Sequence, residues 1–132
     1  MKNLVEIVRF DEEGYEPLMS FEDWCVAMLN SCEELLEENI SYMEKHLLTD
    51  EVFILLEGEA ELLLADGEDE IDRVHRIKMA RGSVYQVKQF AWHSVAMKEN
   101  SKILLVEKKG TGEDNTPKIA VTQEMLKRAA YA

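Results

Sequence analysis

The chain has 132 residues, with 27 Asp and Glu against 15 Lys and Arg and a formal net charge of −12. That length makes one domain, spanning 1–132, with a core of its own, and that charge repels a nucleic-acid duplex or an anionic membrane. No apolar run approaches the roughly 18 residues of a membrane-spanning helix and the N-terminus lacks the apolar segment of a signal peptide, so a soluble, cytoplasmic protein with no nucleic-acid or membrane partner is expected. Cys25 and Cys32 have no second pair to complete a zinc ribbon or a disulfide framework, and read as reduced thiols.

The charge is unevenly placed. Residues 1–72 hold 22 acids and three bases, whereas residues 73–132 hold 12 bases and five acids. Strands of the acidic half are therefore expected either beside strands of the basic half or as a solvated coat.

Period-two alternation dominates the chain and predicts short strands. Val5–Phe10 reads as the first, ended by the turn-rich DEEGYEP, and Trp24–Leu29 as the second. Cys32–Glu38 reads as one or two turns of acidic helix capped by Ser31, and a longer helix over Phe21–Glu38 is the competing reading. Seven further strands follow at Ile40–His46, Glu51–Glu57, Glu59–Ala65, Asp72–Met79, Ser83–Val87, His93–Lys98 and Lys102–Lys108, separated by short turns. Such spacing predicts an all-β sandwich or barrel with its core at about 40–108 and N-terminal strands within 1–39. Gly110–Pro117 reads as a flexible connector, and Met125–Ala130 as a short terminal helix capped by Thr122, together forming a C-terminal linker and helix over 110–132.

The chemistry-bearing residues lie in EKHLLTDEVFILLEGEAEL and RGSVYQVKQFAWHSVAM. Tyr42, Glu44 and His46 share one strand face, as do Glu51, Phe53 and Leu55, and His93, Val95 and Met97. If those faces point inward, two carboxylates and two imidazoles meet among apolar walls, a costly arrangement unless they pair with one another or hold a cation. Two Glu–His pairs satisfying each other is the alternative to a metal. His75 and the acidic stretch Asp66–Asp72 have no metal-ligand spacing and read as surface features. Phe53, Tyr42, Tyr85, Trp92 and Met97 are candidate walls of a small-ligand pocket. Val52, Ile54 and Leu56 make the opposite face of their strand apolar as well, so that strand needs an outer cover, which a twofold dimer would provide.

The two stretches resemble the paired motifs of the cupin family, over about residues 40–108, with DEVFILLEGEAEL the most specific part. The resemblance implies a small jelly-roll β-barrel with a short C-terminal helix, and it places His46, Glu51 and His93 at the family's metal positions. Glu44 stands where metal-binding cupins usually have their first His, Lys88 and Phe90 replace the Pro and Gly before the second-motif His, and Met97 replaces the terminal Asn. The remaining two-His, one-carboxylate set suits Fe, Mn, Zn or Ni, with Glu44 a fourth ligand or general base. The expected function is binding of a small metabolite in the barrel through a divalent metal, in a homodimer. The alternative is a metal-free, non-catalytic ligand-binding or dimerisation module, and the reaction and pathway are not read from the sequence.

Overall fold

The computed structural model describes residues 4–132. Among these, the strands are β1 (Gly14–Phe21), β2 (Trp24–Asn30), β3 (Tyr42–Glu44), β4 (Glu51–Glu57), β5 (Ala60–Ala65), β6 (Val74–Lys78), β7 (Val84–Val87), β8 (Trp92–Met97), β9 (Lys102–Lys108), β10 (Lys118–Ala120) and β11 (Ala130–Tyr131). A single α-helix among the described residues, α1, covers Gln123–Lys127. Five strands form one sheet in the order β1-β2-β9-β4-β7 and six form another in the order β10-β3-β8-β5-β6-β11.

Alternation along each strand builds the core. Ala27, Phe53, Leu55, Ile103 and Leu105 of the first sheet pack against Ala60, Leu62, Val95 and Met97 of the second, so the two sheets face each other across one hydrophobic layer. The other face of the six-stranded sheet is also buried: Met43, Leu63, Trp92 and Ala96 lie beneath Val121 and Leu126 of the C-terminal segment. Thr122 caps α1, its hydroxyl accepting from the Met125 amide at 3.2 Å. The Arg76 guanidinium, buried under the helix, donates to the Leu126 carbonyl at 3.0 Å and pairs with Glu37 and Glu61. Acids of the first half of the chain lie opposite bases of the second at Glu44–Lys118, Glu57–Lys102 and Glu61–Lys78.

Several expectations are corrected. The closed barrel is not formed: among the described residues no strand pairing joins the two sheets, and the molecule is an open sandwich. The sheet ends explain this, since β10 and β11 are only three and two residues long and β1 carries Pro17 at a shift in its register with β2. The first strand among the described residues is Gly14–Phe21, within and beyond the segment assigned to a turn, whereas 4–10 has no strand partner among them. Pairing from Gly14–Asn30 to Phe21–Trp24 outweighs the Gly, Pro and acid content, and Pro17 is tolerated because β1 is an edge strand. The acidic segment forms two 3-10 turns, Glu33–Leu35 and Glu37–Asn39, and neither the Ser31-capped helix nor a helix over Phe21–Glu38. Leu36 stands between them in extended conformation, ψ 141°, and ends the first turn. The terminal helix spans five residues and ends at Lys127, short of the expected Ala130.

Candidate metal centre and ligand cavity

Register brings the ionisable residues together. Glu51, at the start of β4, lies opposite Glu107 of β9, while Glu44 of β3 lies opposite His93 of β8. His46 follows β3 in a segment stitched to the Gly110–Pro117 connector by Lys45 N to Pro117 O and Leu47 N to Asn115 O, at 3.2 and 3.1 Å. That connector is therefore ordered against the site rather than free: it turns through Glu113–Asn115 and buries Thr116. The Asn115 side chain holds the turn, accepting from Gly112 N and donating to Gly110 O.

His46, Glu51 and His93 are all buried, and Glu51 Oε1 stands 2.9 Å from His46 Nε2 and 3.3 Å from His93 Nε2. The outer nitrogens of both rings are already committed. His93 Nδ1 donates to the Ala91 carbonyl at 3.0 Å. Thr116 Oγ1 donates to Asn115 Oδ1 at 3.4 Å, which leaves it to accept from His46 Nδ1 at 2.9 Å. In each neutral ring the proton then sits on Nδ1 and the lone pair on Nε2, so two nitrogen lone pairs converge on a carboxylate oxygen. Three acceptors at this range repel unless a cation lies among them, either protons on the rings or a metal ion. Ligand atoms about 2.1 Å from one ion and at right angles stand about 3 Å apart, which matches both contacts. A ring nitrogen held on its far side by a hydroxyl or a carbonyl is also how metal-binding histidines are oriented.

Two further carboxylates flank this core. His46, Glu51 and Glu107 bring ligand atoms within 4.8 Å of one another, as do Glu44, His46 and His93. Glu107 Oε2 is buried without a hydrogen-bond partner, 3.7 Å from His46 Nε2, while the Tyr15 hydroxyl donates to Glu107 Oε1 at 3.3 Å. Burial, and then the charge of Glu51, push the Glu107 carboxyl up to about 8. Burial would raise Glu51 too, but its bonds to His46 and His93 outweigh it and hold that carboxyl at about 2. Burial likewise opposes charge on His93, and the Glu51 bond overcomes it, raising the imidazole.

These groups open into a cavity of about 600 Å³ walled by Leu29, Leu35, Phe53, Val95 and Leu105, with Tyr15, Tyr42 and Lys118 also on its wall. The structure places Tyr42 and Phe53 there, with Phe53 edge-on to His93 at 5.9 Å. Tyr85, Trp92 and Met97 lie elsewhere. Trp92 points to the opposite face from His93, as successive strand residues must, and donates to the Glu68 carbonyl. Met97 shares the inner face with His93 but is sealed in the core, and Tyr85 packs at the core margin and accepts from the Ala80 amide. His75 finds a partner in Asp66 at 3.0 Å, away from the site.

Sequence reading missed Glu107, Tyr15 and Thr116. Glu107 carried a signal, as the one acid on the inward face of β9 after Ile103 and Leu105. Tyr15 was hidden in a segment read as turn, and Thr116 in a connector, where no periodicity marks it.

No protein-family model and no curated protein matches the chain. Solved structures do. A cupin-2 domain containing protein from Shewanella frigidimarina superposes with a TM-score of 0.56 at 20% identity, over 76% of this chain and 85% of its own. The nucleoside dehydratase Pac13 gives a TM-score of 0.59 at 8% identity over 89% and 88% of the two chains, and Streptomyces Pac13 has been solved with uridine. Oxalate decarboxylase from Bacillus subtilis gives 0.59 at 16% identity, over 82% of this chain and 29% of its own. The chain has the cupin fold.

Proposed function

We propose that this is a cupin-fold metalloprotein that binds a small metabolite beside a divalent cation held by His46, Glu51 and His93, with Glu107 or Glu44 as a further ligand. The carrying observation is the convergence of His46 Nε2 and His93 Nε2 on Glu51 Oε1, each ring fixed from behind by Thr116 or Ala91. Nitrogen and carboxylate donors in this ratio suit Fe, Mn, Zn or Ni, and the unpartnered Glu107 oxygen is the kind of atom an ion satisfies. A bound ion supplies Lewis-acid polarisation of a ligand oxygen. Around it, the apolar wall excludes water and the Tyr15 hydroxyl orients Glu107 by donating to its Oε1.

Metal analysis of untagged protein purified without chelator tests this: about one ion per chain is expected, lost in His46→Ala and His93→Ala. Less than about 0.1 ion per chain refutes it. The second reading is a metal-free binding module, favoured by the raised His93 and lowered Glu51, which together neutralise one another without an ion. It predicts a melting temperature indifferent to EDTA and unchanged ligand affinity in the His-to-Ala variants. We further read the protein as a soluble, cytoplasmic homodimer. Support comes from the apolar outer face of the five-stranded sheet and from the lack, among the described residues, of a helix long and apolar enough to cross a membrane.

A further inference from the structure

The cavity is more acidic than a divalent ion requires. Its wall includes five carboxylates, Glu34, Glu44, Glu51, Glu107 and Glu113, against a single ammonium, Lys118, and no arginine. An ion balances two of the five, whichever of them ligate it, and Lys118 balances a third, so two negative charges remain in excess. Glu34 and Glu113 belong to neither group of converging ligand atoms. They stand on the Glu33–Leu35 and Glu113–Asn115 turns, and neither has an ion-pair partner among the described residues. Deeper in, Glu107 is 9% exposed and its Oε2 has no hydrogen-bond partner. A carboxylate buried that far is costly until a positive group meets it.

The chain's own ammonium shows the kind of seat this wall offers. Lys118 Nζ lies 4.8 Å from the centre of the Tyr42 ring, and Lys118 stands opposite Glu44 in register, so an aromatic face and a carboxylate flank one cation. Tyr15 presents a second aromatic ring on the wall, half exposed and tethered through its hydroxyl to Glu107. No cation of the chain covers that ring among the described residues. Between these polar groups the wall is apolar, at Leu29, Leu35, Phe53 and Leu105. A carboxylate or phosphate ligand meets the wrong sign twice, first in the net charge of −12 on the whole chain and then in the acids of the wall.

We propose that the ligand of this cavity is a small organic cation: an ammonium group held by the wall acids Glu34 and Glu113, joined to an apolar body that lies along Leu29, Phe53 and Leu105. This names the ligand class of the function proposed above and rests on its cavity. A hydroxyl at the far end of such a molecule reaches toward His46 and His93, where a bound ion gives it a second anchor. The volume of about 600 Å³ suits a ring with a short aminoalkyl arm and leaves the rest to water. Selectivity then comes from charge at the wall, and it acts against organic acids whether or not the ion is bound.

Calorimetric titration of the full chain tests this with two pairs of probes that differ chiefly in charge: tyramine against phloretate, and phenethylamine against hydrocinnamate. Each amine is expected to bind at least about 10-fold more tightly than its acid. Glu34→Gln/Glu113→Gln is expected to weaken both amines about 10-fold at an unchanged melting temperature. Glu57→Gln/Glu99→Gln removes as much charge at the other end of the sandwich and is expected to leave them unchanged. Acids that bind as tightly as their amines, or amines that fail to bind below about 10 mM, overturn the proposal. So does an equal loss in the two double variants, which would make the selectivity a property of the whole acidic coat. EDTA separates this proposal from the ion: it is expected to weaken tyramine, which carries a phenol oxygen, and not phenethylamine, which has none. Amine selectivity that is kept while EDTA changes neither affinity counts against the ion and supports the organic cation.

Discussion

Thr116, on the cavity wall, acts on His46 from behind the ring. Its hydroxyl, spent as a donor on Asn115, can only accept from His46 Nδ1, and this keeps the Nε2 lone pair aimed at Glu51. Thr116→Val keeps the shape and removes the acceptor, freeing the ring to turn and change tautomer. Metal affinity measured by competition with a chromophoric chelator is expected to fall 10- to 100-fold, roughly the loss seen when the partner of a metal-binding histidine is removed. Glu107 makes a different prediction, in pH. Its carboxyl is raised to about 8, so between about 4.5 and 8 the unfolded chain releases a proton that the fold retains, and stability falls as pH rises through that window. Glu107→Gln removes this loss. In EDTA it is expected to melt a few degrees above wild type at pH 8 and to match it at pH 4, as read by thermal denaturation. Glu51 works in the opposite direction: held at about 2, it contributes stability above its ordinary value of 4.5 that is lost as pH falls toward 2. Glu51→Gln is therefore expected to cost most near neutrality and least at pH 2.

At the scale of elements, α1 shows how little local propensity decides. Five residues are too few to stay helical alone, so the element exists because Leu126, fully buried, fills a socket formed by Met43, Leu63 and Ala96. Leu126→Ala is expected to cost about 2–5 kcal/mol in chemical denaturation, the range for a core leucine whose neighbours cannot collapse into the gap. Strand legibility followed the same physics. β4, β5 and β9 were readable because their alternation is reinforced by neighbours on both sides in register. β1 was not, because its Gly, Pro and acids are acceptable only at an edge paired along β2, a fact of the assembled sheet. The reverse holds at residues 4–10, where Val5, Ile7, Val8 and Phe10 have strand propensity and, among the described residues, no strand pairs with them. For the site, strand spacing sufficed to bring His46, Glu51 and His93 to one face, and parity along β9 pointed to Glu107. Thr116 and Tyr15 depend on chain crossings that no periodicity encodes.

In the whole molecule the site sits between the two sheets, which are otherwise joined by their shared hydrophobic layer and not by strand pairing among the described residues. Glu51 and Glu107 come from the five-stranded sheet, and Glu44 and His93 from the six-stranded one, with no strand pairing between them among the described residues. A cation held by both sets cross-links the sandwich at one end, whereas the core alone holds the rest. Because the ligands converge only in the fold, binding free energy becomes folding free energy, about 2.7 kcal/mol when free metal is 100 times its dissociation constant. For a domain of this size that corresponds to a rise in melting temperature of roughly 10 °C. Zn²⁺ or Mn²⁺ added to chelated protein is expected to produce it, EDTA to reverse it, and His46→Ala to abolish it. The acidic surface would attract cations weakly wherever they bound, so the sharper discriminator is ionic strength. Diffuse attraction to the coat of charge fades as salt is raised from about 0.05 to 0.5 M, while a buried, directly ligated ion keeps most of its effect. A shift that survives high salt and disappears with one histidine locates the cation between the sheets.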